Sequence, residues 1–156
     1  MNEDIHDIAE SGSIEDMQIL LKKGININTL DEDDNTPLHF SIDRKEPEMT
    51  LFLLENGADP TIQNDEGYTA LHLSVLYQNI EIAEAILKRF PQVVNIESEE
   101  WGSPLLQALQ NIEMVKLLIA YGANKQADNI LPHVKAYDID ELSEIFSEEL
   151  KGFKEL

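Results

Sequence analysis

The feature that most constrains this chain is a repeat with a period of about 33 residues. The motif "TPLH" that begins at Thr36 recurs as "TALH" at Thr69 and as "SPLL" at Ser103, in nearly equal steps. A second anchor, the residue that ends the next apolar run, lies at Gly24, Gly57, Phe90 and Gly122. A period of this size is typical of stacked repeats, in which each unit contacts only its neighbours.

Each unit contains two segments with helical periodicity. The short segment "PLHFSIDR" after Thr36 is followed by "EMTLFLLENGAD" (48–59), which carries apolar residues around most of a helix and ends near a glycine. Pro37 suits the first helical position, where no backbone N–H is needed, and the hydroxyl of Thr36 can cap the helix. Ser103 and Pro104 repeat this arrangement. The sequence therefore predicts stacked helix-turn-helix units.

A unit of about 33 residues in which "TPLH" opens a short helix and "GAD" follows a second helix resembles the ankyrin repeat. The resemblance covers roughly residues 3–135. It implies an all-α ankyrin-repeat solenoid with hairpin loops that project between the repeats, closed by a C-terminal capping helix. We expect one domain over residues 1–156, with repeats at about 3–35, 36–68, 69–102 and 103–135 and a cap at 136–156.

Three departures from the family pattern predict local differences. Repeat three has Phe90 followed by Pro91 where the other units have a glycine, so its exit loop should differ in shape. Repeat four has Leu106 at the histidine position and two fewer residues between its helices, which leaves the form of its first helix open. Repeat two carries Asp34 where the family usually has a glycine in the hairpin.

Three histidines, His6, His39 and His72, recur in phase with the repeats. In the family this histidine hydrogen-bonds within and between repeats, so the resemblance implies that these residues, with Thr36 and Thr69, have a structural role. A shared metal site is disfavoured because equivalent residues of stacked units lie about 10 Å apart. Zinc–nitrogen bonds, by contrast, are about 2 Å long.

No motif for catalysis or cofactor binding is found. The chain has no cysteine, which excludes thiol nucleophiles, disulfides and thiolate metal sites. It also lacks a Gly-rich phosphate loop and the HExxH and GxSxG motifs. The acidic stretch "DEDDN" (31–35) lacks the glycine and the glutamate of a calcium loop. We therefore expect no enzyme activity, no cofactor and no metal site.

Charge is the most unusual property of the composition, because 31 acidic and 11 basic residues give a formal net charge of -20. Such a chain repels phosphate backbones and gains nothing from anionic lipids, so neither nucleic acid nor membrane is expected as a partner. The natural partner is a basic protein, although acidity also keeps a small protein soluble and monomeric. With no signal-peptide pattern and no long apolar run, we expect a cytoplasmic protein that is monomeric when free.

In an ankyrin stack the first helices line a concave face and the hairpins project from its edge, so the resemblance places partner-binding residues there. The predicted loop tips at 31–35, 64–68 and 97–102 are all acidic. Tyr68 and Trp101 are expected to be exposed anchors within this polar rim, unless the altered loop of repeat three folds Trp101 inward. The expected partner-binding residues are Asp31, Glu32, Asp33, Asp34, Phe40, Asp43, Asp65, Glu66, Tyr68, Leu73, Tyr77, Glu99, Glu100, Trp101 and Gln107.

The tail that begins at Tyr137 has apolar residues on one helical side and charged residues elsewhere. This pattern suits a terminal helix that covers the open end of the stack with a polar outer face. An amphipathic helix that binds a partner is the alternative. The apolar residues are Ile139, Leu142, Ile145, Phe146 and Phe153.

Two functions remain open at this point. The first is a non-enzymatic interaction module that binds and inhibits a basic protein through an acidic concave and finger surface, as an immunity or antitoxin-like protein would. The alternative is a scaffold, adaptor or host-directed effector that binds an apolar peptide or helix through concave-face aromatic residues. Binding that fails at high salt favours the first function, because screening weakens exposed charge pairs.

Overall fold

The structure, a computed structural model, describes residues 4–126, 130–137 and 139–152. These residues form eleven α-helices and one 3-10 helix, without a β-strand among them, which confirms the predicted all-α class. The elements are α1 (Ile5–Ser11), α2 (Ile14–Lys22), α3 (Pro37–Asp43), α4 (Pro47–Glu55), α5 (Ala70–Leu76), α6 (Ile80–Arg89), the 3-10 helix (Pro91–Asn95), α7 (Pro104–Gln107), α8 (Ile112–Ala120), α9 (Ile130–Tyr137), α10 (Asp140–Ile145) and α11 (Ser147–Gly152).

The helices stack in two layers. In the inner layer α1 contacts α3, α3 contacts α5 and α5 contacts α7. In the outer layer α2, α4, α6 and α8 contact one another in the same order, and each inner helix also contacts the outer helix that follows it. The result is a solenoid of four helix pairs with one continuous apolar core, as the sequence predicts.

Local capping explains where the helices begin. The hydroxyl of Thr36 accepts a hydrogen bond from the backbone N–H of His39, and Pro37 occupies the first turn of α3. Thr69 makes the same contact at the start of α5, and the Ser103 hydroxyl caps α7. Three of the outer helices are capped by side-chain oxygens of Ser13, Asn79 and Asn111. The repeat is therefore encoded by caps as well as by apolar periodicity.

The ends of the outer helices differ as predicted. The outer helix of repeat three is followed by Phe90, whose φ is −133°, and the chain continues into the 3-10 helix. The outer helices of the other three units are followed by a residue in the left-handed region, which glycine adopts without strain. These are Gly24, Gly57 and Gly122, with φ angles of 85°, 95° and 90°.

The first helix of repeat four is shortened. α7 has four residues, whereas α1, α3 and α5 have seven each. The caps Ser103 and Asn111 are 8 positions apart, whereas Thr69 and Asn79 are 10 positions apart, so the chain must turn toward α8 earlier. The sequence left this helix open, and the structure retains it as a single turn.

The tail packs against repeat four. The side chains of Leu142 and Phe146 are completely buried. Lys125 lies over the ring of Phe146, with its Nζ 5.7 Å from the ring centroid, and forms an ion pair with Glu149 at 2.8 Å. This hydrogen-bonded ion pair holds the pKa of the Glu149 carboxyl below its usual value. The fifth predicted apolar residue, Phe153, lies outside the described residues.

Candidate interaction surface

A buried histidine connects each middle repeat to the next hairpin loop. In His39, Nδ1 accepts a hydrogen bond from the backbone N–H of Thr36 at 3.1 Å. The proton must therefore reside on Nε2, which donates to the carbonyl oxygen of Tyr68 at 3.0 Å. Burial lowers the pKa of His39, which keeps the ring neutral.

The other two histidines occupy equivalent positions. His72 has its Nε2 3.1 Å from the carbonyl oxygen of Gly102, and burial lowers its pKa as well. His6 differs because its helix is capped by Asp4, which precedes the histidine by two residues, whereas the threonine of the other units precedes it by three. Its Nδ1 lies 2.7 Å from Oδ1 of Asp4, and its Nε2 lies 2.9 Å from the carbonyl oxygen of Thr29. A hydrogen bond from the His6 backbone N–H lowers the pKa of the Asp4 carboxyl.

Hydrogen bonds hold the hairpin loops side by side. The backbone N–H of Asp65 donates to the carbonyl oxygen of Asp33 at 3.0 Å. The side-chain amide of Gln63 donates to the carbonyl oxygen of Glu97 at 3.0 Å. The loop backbones that carry neighbouring carboxylates are therefore held in one row. We call these loops the acidic loops, and they span 31–35, 64–68 and 97–102.

A groove of 440 Å³ lies between the first two acidic loops and the inner helices α3 and α5. None of its twelve lining residues is a lysine or an arginine. We call it the acidic groove, and its carboxylates are those of Asp33, Asp43, Asp65 and Glu66. Two cations lie at one edge of it, with Nε of Arg44 3.7 Å from Oδ2 of Asp43 and Nζ of Lys45 5.9 Å from the ring centroid of Tyr77. The field that attracts a further cation is therefore strongest beside the loop carboxylates.

A second groove, of 450 Å³, lies on the other side of loop 64–68. It extends the negative surface to the third acidic loop. Its lining carboxylates are those of Asp65, Glu66, Glu97, Glu99 and Glu100. Glu97 is absent from the predicted set, although the predicted loop tip contains it.

Two of the predicted carboxylates are engaged within the protein. Asp31 accepts hydrogen bonds from the backbone N–H groups of Asp33 and Asn35, at 3.0 and 2.7 Å, and so shapes its own loop. Asp43 accepts a hydrogen bond from the hydroxyl of Tyr77. This bond, with burial, raises the pKa of Tyr77 to about 12. Both carboxylates are consequently less available to a partner than Asp33, which is exposed.

The predicted exposure of two side chains is wrong. Tyr68 is only 5% exposed, because its ring stacks on Trp101 with centroids 5.6 Å apart. Leu73 is 7% exposed, since its side chain packs into the core. Trp101 itself remains 42% exposed, so it lies against Tyr68 without being buried. Only one of the two predicted aromatic anchors is accessible.

The remaining predicted residues are accessible to different degrees. Phe40, Tyr77 and Gln107 are half-buried. The exposed ones are Glu32, Asp33, Asp34, Asp43, Asp65, Glu66, Glu99 and Glu100.

Sequence reasoning missed Leu76, which is 49% exposed and lines the acidic groove. Its equivalent one repeat earlier is Asp43, which was in the predicted set. Applying the period to every inner-helix position would therefore have found it. One period further along the sequence is Gln110, which lies in the turn after α7.

Comparison with known proteins agrees with this architecture. A family model described as ankyrin repeats (many copies) matches residues 20–73, and one described as ankyrin repeats (3 copies) matches residues 57–129. The chain belongs to the ankyrin-repeat family. Ankyrin repeats form protein–protein interaction modules, which are generally non-enzymatic.

The ankyrin region is also similar to parts of longer proteins. It is 34% identical over 127 residues to a Danio rerio protein named as a putative palmitoyltransferase, ZDHHC13, covering 79% of this chain and 20% of that protein. It is 29% identical to the human transient receptor potential cation channel subfamily A member 1, covering 80% and 12%. It is 30% identical to the mouse B-cell lymphoma 3 protein homolog, covering 71% and 26%. The chain thus spans about a quarter or less of each relative.

Among the described residues, no three histidine, aspartate or glutamate side chains are arranged so that they could hold a metal ion. No helix in the described ranges is both long and apolar enough to span a membrane.

Proposed function

We propose that this ankyrin domain binds a basic protein through its acidic loops and the acidic groove. The observation that carries the proposal is the lining of that groove, which has four carboxylates and neither lysine nor arginine. The hydrogen bonds between loops support it, because loop backbones that are already held in place need little ordering when the partner arrives.

The charge distribution also supports a kinetic advantage. A net charge of -20 attracts a basic protein from a distance and raises the rate of encounter. We propose that the partner is held and inhibited, as a toxin is by an immunity or antitoxin protein. We further propose that the domain is a cytoplasmic monomer when free, and that neither nucleic acid nor a membrane surface is its partner.

A second candidate function rests on the exposed apolar side chains. Trp101 and Leu76 are 42% and 49% exposed. They favour a scaffold, adaptor or host-directed effector that binds an apolar peptide or helix. In that case the charge serves solubility, and binding survives high salt.

The test is a pull-down from lysate of the source cells, at low and at high salt, with mass spectrometry of retained proteins. The loop variant carries Asp33→Asn, Asp65→Asn and Glu66→Gln. The control variant carries Glu15→Gln, Glu48→Gln and Glu81→Gln, which neutralises three exposed carboxylates in the first turns of α2, α4 and α6. Both variants therefore have the same net charge.

We expect a basic protein that wild type and control retain at low salt and that the loop variant and high salt release. Equal retention by the loop variant would contradict the proposed acidic capture. Equal loss in both variants would mean that net charge, rather than the acidic groove, drives binding. Thermal unfolding of both variants verifies that neither has lost its fold.

A further inference from the structure

A second pocket adjoins the acidic groove on the side of repeat four. Its volume is 350 Å³, and none of its nine lining residues carries a charge. Tyr68 and Leu76 line both the acidic groove and this pocket, so the two are adjacent. We call it the neutral pocket, and its walls include Leu76, Gln78, Trp101, Gln107, Gln110 and Asn111.

The chemistry changes along the inner side of the solenoid. Asp43 is the last residue of α3 and Leu76 is the last residue of α5, whereas Gln110 lies in the turn after the shortened α7. The inner side thus presents a carboxylate in repeat two, an apolar side chain in repeat three and an amide in repeat four. A bound segment would meet these groups in that order.

The neutral pocket contains an unsatisfied hydrogen-bonding atom. Oε1 of Gln107 is buried and has no hydrogen-bond partner. Buried polar atoms are normally paired, and an unpaired one destabilises the free protein. Solvent does not reach this atom, so the side-chain amide of Gln107 must turn toward the pocket before a donor on a bound molecule can remove the penalty; the residue then favours a ligand that brings an N–H group.

The apolar wall is positioned before binding. Trp101 is held by its stacking on Tyr68, with an angle of 20° between the rings. Leu76 projects from the last turn of α5 between the two cavities. An apolar side chain that enters here gains contact area while few groups lose freedom.

We propose that the neutral pocket takes a large apolar side chain from the segment of the basic partner whose lysine or arginine occupies the acidic groove. An N–H group of that segment donates to Oε1 of Gln107. This inference rests on the proposed function and specifies the partner: a segment with a basic residue beside an apolar one.

The probe is a phage library of random dodecapeptides, selected at low salt on the full chain. Wild type is compared with the loop variant and with Leu76→Ser, which removes an exposed apolar wall. We expect wild type to select peptides in which Lys or Arg accompanies a large apolar residue. The loop variant should lose the basic preference, and Leu76→Ser should lose the apolar one.

These outcomes separate the two proposals. If wild type selects basic peptides without an apolar preference, the role proposed for the neutral pocket is wrong, whereas the proposed binding of a basic partner by the acidic groove still holds. Apolar peptides without a basic preference would overturn the acidic capture, and with it the combined site. A library from which wild type enriches nothing would overturn both.

The hydrogen bond is tested with the best peptide selected on wild type. Gln107→Leu removes the unpaired acceptor, so we expect about tenfold weaker binding without loss of folding stability. Gln92→Leu makes the same substitution at an exposed residue that lines neither the acidic groove nor the neutral pocket, and it should leave the affinity nearly unchanged. Equal affinities of wild type and Gln107→Leu, measured by calorimetry, would overturn the assigned bond.

Discussion

Repeats two and three differ from repeat four in how the inner helix is connected to the next loop. His39 and His72 each join an inner helix of seven residues to a carbonyl of the next acidic loop. Repeat four has Leu106 at that position and an inner helix of one turn. Apolar packing therefore suffices to build a helix pair, whereas the histidine holds in position the loop that carries the charges.

The largest loss of stability is expected when the histidine of a middle repeat is truncated. We expect His39→Ala or His72→Ala to lower the free energy of unfolding by about 2–4 kcal/mol, because buried backbone groups lose their partners. Urea unfolding measures the change. Leu106→Ala, at a half-buried side chain without such bonds, should cost about 1–2 kcal/mol. Equal costs at all three positions would show that the histidines contribute only packing.

Lowering the pH should have a smaller effect on stability, because it protonates the imidazole rings without removing them. The pKa of an unfolded histidine is near 6.5, and burial lowers the pKa of His39 and His72 in the folded protein. As pH falls below about 6.5, the unfolded chain binds protons that the folded chain does not, so stability decreases until the folded pKa is reached. Above about 6.5 this contribution is fully present.

Urea unfolding at pH values between about 7.5 and 5.5 measures this dependence. His72→Asn has one such histidine fewer, so its stability should depend less steeply on pH than that of wild type. The acidic side chains are the same in both proteins and their effect cancels in the difference. An unchanged slope would contradict the assignment of buried, neutral histidines.

The smallest effect is expected at the loop tips. Asp34 and Gly67 both precede the capping threonine by two residues and both have positive φ, 59° and 81°. Asp34→Gly removes strain and should raise stability by about 0.5–1 kcal/mol. Gly67→Ala is the control of opposite sign, because its Cβ would lie 2.6 Å from the hydroxyl of Ser98. Thermal unfolding of both variants tests this, and destabilisation by Asp34→Gly would contradict it.

The period predicted the helices because caps and apolar spacing are local properties that recur in every unit. It also predicted the altered end of repeat three, since Phe90 cannot replace a left-handed glycine without changing the loop. The length of α7 was not predictable, because it depends on where packing against α8 forces the shortened segment to turn.

The site was only partly predictable. The acidic loops follow directly from their sequence. The burial of Tyr68 does not, because the ring that covers it comes from Trp101, in a loop with one inserted residue. The neutral pocket likewise depends on Gln107 and Leu76 meeting across two repeats. Contacts of this kind are set by the irregular parts of the chain, where periodicity carries no information.

The buried histidines have a genetic consequence. Because His39 and His72 hold carbonyls of the loops that carry the negative charges, substituting either histidine should displace the carboxylates that we propose the partner contacts. A screen for mutants that lose the partner while remaining folded would then return two classes. One consists of exposed carboxylates, and the other of buried imidazoles.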